Sequence, residues 1–220
     1  MNNLKLITFL ILIGFTSCGP QVTFDKPQPD GVKNLSKFPK RIQGKFIRLS
    51  DNKQLEITNN TIIETSDFEL KENINQLDSN LKIIGDSVLD LNTNHKEKIN
   101  LIGDSILIRF HYTDTIFTID SNNIVRKFKG YYFLNRIDEF GWDVEKMDFK
   151  NGQLRISRID SKEDIENLVA LSDSKQDTVT NFHIKITKKQ FKKYIRNDGF
   201  NDTETYLKIK NRVGKGESHP

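Results

Sequence analysis

From Gly44 onward, apolar and polar residues take turns along the chain, and corner-forming residues interrupt them every eight to ten positions. A period of two puts one side of each segment on a core and the other in water, the pattern of antiparallel strands and not of helices. Lys45-Phe46-Ile47-Arg48-Leu49 and Gln54-Leu55-Glu56-Ile57-Thr58 flank Ser50-Asp51-Asn52-Lys53, a hairpin signal, and a third strand at 61–65 follows Asn59-Asn60. Segments 105–112, 115–119, 124–128 and 131–134 predict further strands, with Thr113-Asp114 and Asp120-Ser121-Asn122-Asn123 as turns. Trp142 and Val144 keep one phase and Met147 and Phe149 the other, so a bulge is expected near Glu145-Lys146. Asn151-Gly152 is the strongest hairpin signal, leading into 153–159, and 204–210 gives a last strand. The expected fold is mainly β, an antiparallel meander forming a barrel or sandwich, with one or two short helices near the C-terminus.

Those helices are expected after residue 160. Ser161-Lys162-Glu163-Asp164 approximates a capping box ahead of Ile165, Leu168, Val169 and Leu171. Thr187-Lys188-Lys189-Gln190 is a fuller one ahead of Phe191, Tyr194 and Ile195, and Asp198-Gly199 predicts the stop. Lys185, Lys188, Lys189, Lys192, Lys193 and Arg196 crowd the second helix without one acid. Such a face suits anionic headgroups or an acidic glycan, and equally plain solvent. The acidic stretch 160–177 is placed to neutralise part of it.

An internal echo supports the meander. Ile83-Ile84-Gly85-Asp86-Ser87-Val88-Leu89 recurs as Leu101-Ile102-Gly103-Asp104-Ser105-Ile106-Leu107, an offset of 18 residues, so each Gly-Asp-Ser is expected at an equivalent hairpin corner. Gly-Asp-Ser before Val or Ile also resembles the nucleophile block of the GDSL hydrolases. The partner Asp-x-x-His of that family is absent, since Asn92, Ile108, Thr180 and Gly216 stand three positions before the four histidines.

Cys18 is the only cysteine, so no disulfide framework exists and the fold must stand on its apolar core. Lys5, a ten-residue apolar run from Leu6 to Phe15, and the small pair Thr16-Ser17 precede it. Ten residues fall short of the roughly 20 that a membrane-spanning helix needs. The pattern resembles the lipobox signal peptide of bacterial lipoproteins, with Phe15 where such signals more often carry Leu. The resemblance implies that residues 1–17 are removed and that Cys18 becomes a mature N-terminus carrying a diacylglyceryl thioether and an amide-linked acyl chain. It implies attachment to a membrane, the outer membrane being expected, with the body facing the periplasm or the cell surface. Each buried methylene contributes about 0.8 kcal/mol, and two or more chains make anchoring stable.

Loss of Lys5 with the leader takes the formal charge from +4 to +3, and basic residues mostly alternate with acidic ones, so nucleic acid is not an expected partner. Residues 18–43 hold four of the five prolines, Pro20, Pro27, Pro29 and Pro39, and are expected to form a stiff tether after the lipidated Cys18. Extended as polyproline II, such a tether reaches about 80 Å. Phe24 and Phe38-Pro39 mark points where it could instead dock on the body. Residues 44–210 make the expected β-rich domain and 211–220 a flexible tail.

Chemistry is sparsely signalled. His-Glu-x-x-His, Gly-x-Ser-x-Gly, a phosphate loop and paired cysteines do not occur, and no metal or cofactor is expected. His111 with Asp104 and Asp114 is the one carboxylate-histidine grouping near a strand end. The cluster Phe128, Tyr131, Tyr132, Phe133 and Trp142 either fills a core or lines a cavity, and Tyr131, Tyr132 and Trp142 are the candidate ligand contacts.

Cys18-Gly19-Pro20, Phe24 with Pro27-Gln28-Pro29, Phe38-Pro39 with Gly44, Asp114-Thr115-Ile116-Phe117, and Gly130-Tyr131-Tyr132-Phe133-Leu134-Asn135 with Trp142 resemble uncharacterised envelope lipoproteins of Gram-negative bacteria. Gly44-Lys45-Phe46 is similar to the lipocalin start, with Phe46 where that family has Trp, which implies a carrier of a small apolar ligand. The functional expectation is a lipid-anchored envelope protein with a binding or structural role, its partner an envelope protein, a glycan or an apolar small molecule.

Overall fold

The computed structural model describes residues 21–172 and 181–209. Within them the chain is mainly β and antiparallel, with two short helices. The strands are β1 Gln21–Phe24, β2 Asn34–Leu35, β3 Gly44–Arg48, β4 Gln54–Ile57, β5 Thr61–Asn73, β6 Leu81–Ile84, β7 Ser87–Asp90 and β8 Lys96–Ile102. They continue with β9 Ser105–Thr118, β10 Asn123–Phe128, β11 Tyr131–Asp138, β12 Gly141–Lys150 and β13 Gln153–Arg158. Helix α1 (Lys162–Leu171), β14 (Asn181–Ile184), helix α2 (Lys188–Arg196) and β15 (Asp202–Lys208) complete the chain.

One path runs β2-β10-β11-β12-β13-β15-β3-β4-β5-β9-β8-β7-β6 and does not close, so the sheet is no barrel. It is also not a simple meander, because β15 inserts between β13 and β3 after the chain has left to build α1, β14 and α2. Those elements and β1, which runs parallel to β14 and touches β12 at Phe24 opposite Trp142, form an outer layer over one sheet face.

Two expected breaks are corrected. Thr113-Asp114 is no turn: β9 continues through it, with Thr113 opposite Thr65 and Asp114 opposite Glu64. The phase slip instead sits at Ile116, where the partner register jumps from Ile62–Phe117 to Ile63–Thr115, a bulge that a strand accommodates without turning. The bulge expected at Glu145-Lys146 is absent, since the pairing with β11 runs unbroken from Asp138–Gly141 to Tyr132–Met147. Both phases of β12 are apolar because both of its faces are covered: Met147 enters one core and Val144 the other.

The first core lies on the other sheet face and contains Phe38, Phe46, Leu55, Phe117, Tyr132 and Met147, each at most 2% exposed. The second lies under the outer layer, where Phe24, Phe133, Phe191 and Phe200 pack in edge-on or tilted pairs 5.2–6.1 Å apart. Residues 21–43 lie against this body, with Phe24, Phe38 and Ile42 fully buried. Asn135, also fully buried, accepts from the Gln28 amide and donates to the Gln28 carbonyl, while the Arg126 guanidinium donates to the carbonyls of Pro27 and Pro29. Beyond the body, the outer halves of β5 and β9 project as a ribbon that joins β6, β7 and β8 into an arm with its own small core of Val88, Ile99, Ile106 and Ile108. Both Gly-Asp-Ser copies are the expected two-residue corners there, with Gly85 and Gly103 each at φ +63°.

A cationic cleft on the outer layer

Helix α2 is held at both ends. At its start the Thr187 hydroxyl accepts from the Gln190 amide (3.3 Å) while the Gln190 side chain accepts from the Thr187 amide (2.8 Å), which completes the predicted capping box. The helical period turns Phe191 and Tyr194 inward and leaves Lys189, Lys193 and Arg196 exposed. At its end the chain reverses through Asp198 (φ +58°), Gly199 and Phe200 (φ +66°). A Cβ on Gly199 would lie 2.5 Å from the Tyr194 ring, so only glycine fits this close approach.

Polar contacts from Asp164 and Lys146 hold that reversal in place. The Tyr194 hydroxyl donates to Asp164 of α1, and the second Asp164 oxygen accepts from the Asn201 amide at 3.0 Å. Burial first, and then the hydrogen bond to Asp164, push the Tyr194 pKa far above its ordinary value. Lys146 of β12 donates to the Gly199 carbonyl at 2.7 Å and lies 5.4 Å from the Phe200 ring centre. Burial lowers the pKa of this lysine, only partly offset by Asp148 and Asp164.

Facing α2 is the corner between β10 and β11, a two-residue turn in which Lys129 (φ +52°) and Gly130 (φ +93°) both take left-handed backbone. Between corner and helix is a cleft of about 240 Å³ lined by Lys129, Tyr131, Lys192, Ile195, Arg196 and Asp198. Three cations meet one carboxylate in it. The positive neighbours Arg196 and Lys129 lower the Lys192 pKa, the sign of cations held close together. A more open groove of about 720 Å³ continues along the outer side of α2 past Lys189, Lys193 and Arg196. The arrangement can hold an anion by charge and hydrogen bonding.

The candidate ligand residues do not converge. Tyr131 lines the cleft, but its neighbour Tyr132 points to the opposite sheet face, fully buried in the first core with its hydroxyl accepting from Arg41 at 2.9 Å. Trp142 is half-buried opposite Ile137 and Phe24. Cys18 lies outside the described residues, as do Asp173 and Asp177 of the stretch expected to offset the basic helix. His111 pairs with neither Asp104 nor Asp114 but with Asp67, its direct cross-strand partner, at 2.6 Å. Both groups are more than 60% exposed on a flat ribbon, where such a pair is a ladder contact. Sequence spacing could not supply Asp67, because it comes from the register of a strand 44 residues away.

The other dense charge cluster is structural. Glu145, with its side chain 5% exposed, accepts from Arg136 (2.7 Å) and Arg158 (2.6 Å), and Glu204 accepts from Arg158 (3.3 Å) and pairs with Arg48 (3.0 Å). Burial works against ionised Glu204, yet the Tyr206 hydroxyl and the two guanidinium groups overrule it and hold its pKa below the usual range. Every acid here is committed to an arginine, so the cluster ties β11, β12, β13, β15 and β3 together.

Among the described residues no helix is long and apolar enough to cross a membrane, and no group of three or more His, Cys, Asp or Glu is placed to hold a metal ion. No protein-family model matches the chain, and comparison with curated proteins and with solved structures gives no match.

Proposed function

We propose that this chain is a lipid-anchored envelope protein, held through acyl groups on Cys18, whose β body serves a binding or structural role at the membrane surface. The observation that carries the reading is the order charge, ten apolar residues, small pair, cysteine at the N-terminus. Its consequence for architecture comes from the fold. Residues 21–43 pack on the body, so only the steps from Cys18 to Gln21 remain as a lead. Three steps span at most about 11 Å in any conformation, against about 80 Å for a free tether. The body therefore rides close to the surface instead of reaching away from it.

The filled first core, with Phe38 and Ile42 among its fully buried side chains, favours this reading over a carrier of an apolar ligand. Intact mass of the membrane-extracted protein tests the anchor, with fractionation of a Cys18→Ala variant alongside. The expected result is a chain that begins at Cys18 and carries the acyl mass, with membrane association lost in the variant. An unmodified chain, or a variant that stays with the membrane, sinks the assignment.

A further inference from the structure

We infer that the α2 side of the outer layer is a membrane-docking face, with α2 lying on anionic phospholipid headgroups and a headgroup phosphate seated between Lys129, Lys192 and Arg196. The inference rests on the anchored reading for its geometry. Strand β1, the first described element after Cys18, belongs to the same layer as α2, and Phe24 of β1 meets Phe191 of α2 at 6.1 Å. A lead of at most about 11 Å is close to the screening length of about 8 Å at physiological salt. The layer that holds the anchored end is thus kept within electrostatic reach of the surface.

The charge along α2 is one-sided, whereas α1 of the same layer carries exposed Glu163 and Glu166. No acid occurs from Lys185 to Arg196, and Asp198 is the one carboxylate in the cleft. The cations also extend past the cleft along the nine residues of α2, a rise of about 13 Å, which suits a row of headgroups better than a single small ion. Tyr131 and Ile195 give the cleft apolar walls, so a phosphate seated there is partly shielded from water and binds its cations more strongly.

Lysine footprinting with an amine-reactive reagent tests this on the whole protein in vesicles of phosphatidylcholine, with and without phosphatidylglycerol. Labelling of Lys129, Lys189, Lys192 and Lys193 is expected to fall several-fold when phosphatidylglycerol is present, while exposed Lys96 and Lys98 on the arm do not change. Equal labelling in both vesicles overturns the docking face, and so does equal protection by inorganic phosphate without vesicles, which would make the cleft a site for the free ion.

Binding to neutral vesicles separates the two readings. A protein that stays off them has no anchor, yet the docking face still predicts binding to anionic vesicles at low salt. In that case a Lys192→Gln, Arg196→Gln double variant should bind about 25-fold more weakly, at roughly fivefold for each cation removed. Unchanged binding of the double variant overturns the proposal.

Discussion

Strands β10 to β13 and the arm built on β5 and β9 are made of similar alternating sequence, but they are covered differently. In the body, Tyr132 and Leu134 enter one core while Phe133 between them enters another, so β11 is buried on both faces. The ribbon of the arm has one charged face, where Glu69 meets Arg109 and Asp67 meets His111, both at 2.6 Å. Its other face is apolar and only partly covered: Phe68, Leu70, Leu101 and Tyr112 are each more than 40% exposed. Alternation decides which residues share a face, while cover decides what that face contributes to stability. The body should therefore carry most of the folding free energy, and the arm should open first.

The largest test of that contrast deletes one fully buried side chain from each region. Phe133→Ala removes the ring that meets Phe191, Phe200 and Tyr131, and should cost about 3–5 kcal/mol in a urea titration. Ile106→Ala, equally buried in the arm, should cost about 2–4 kcal/mol of local stability. Hydrogen exchange distinguishes them: Phe133→Ala should speed exchange everywhere, and Ile106→Ala only within the arm, between residues 66 and 112. If Ile106→Ala also exposes the amides of β11 and β12, arm and body form one cooperative unit and the contrast fails.

The same contrast explains what the sequence made legible. Local signals were sufficient where the cause was local. Asn151 and Gly152 adopt the left-handed pair (φ +53° and +79°) that their hairpin demands, the two Gly-Asp corners match, and both helices begin at their predicted caps. Cover was not local. The double burial of β12 depends on α1, α2, β1 and β14 arriving from both ends of the chain, so two apolar phases in one strand read as a bulge. The length of β9 depends on the register of β5, so a polar stretch read as a turn. Of the cleft, the basic helix was visible at i, i+3 and i+4 spacing, but Lys129 joins it only through a hairpin corner 63 residues before Lys192.

A smaller effect is expected at the seam between α1 and α2. Tyr194→Phe keeps the ring and removes only the hydroxyl, which leaves the Phe200 amide without its acceptor and Asp164, at 1% exposure, with one hydrogen bond fewer. Loss of a buried partner to a charged group costs about 1–3 kcal/mol. Because this seam lies inside the body, the loss should appear in the global urea midpoint. A midpoint equal to that of the unsubstituted protein would show that the outer layer opens separately, and the body would then divide where the contrast treats it as one.

The smallest effect is expected on the open face of the arm. Phe68 stacks on Phe110 with ring centres 4.7 Å apart and planes 18° from parallel, yet it remains 54% exposed. Phe68→Thr keeps a residue suited to a strand and gives up one cross-strand pair, a loss of about 0.2–1 kcal/mol. Binding of a dye that reports exposed apolar surface should fall at the same time, since the stripe from Tyr112 to Leu70 is broken at its middle. A loss approaching that of Phe133→Ala would contradict the exposure seen in the single chain. It would mean that the face is covered in solution, and sedimentation of both proteins over a range of concentrations would then show whether a second copy covers it. Arm and body would in that event differ in where their cover comes from, the body covering itself and the arm waiting for a partner.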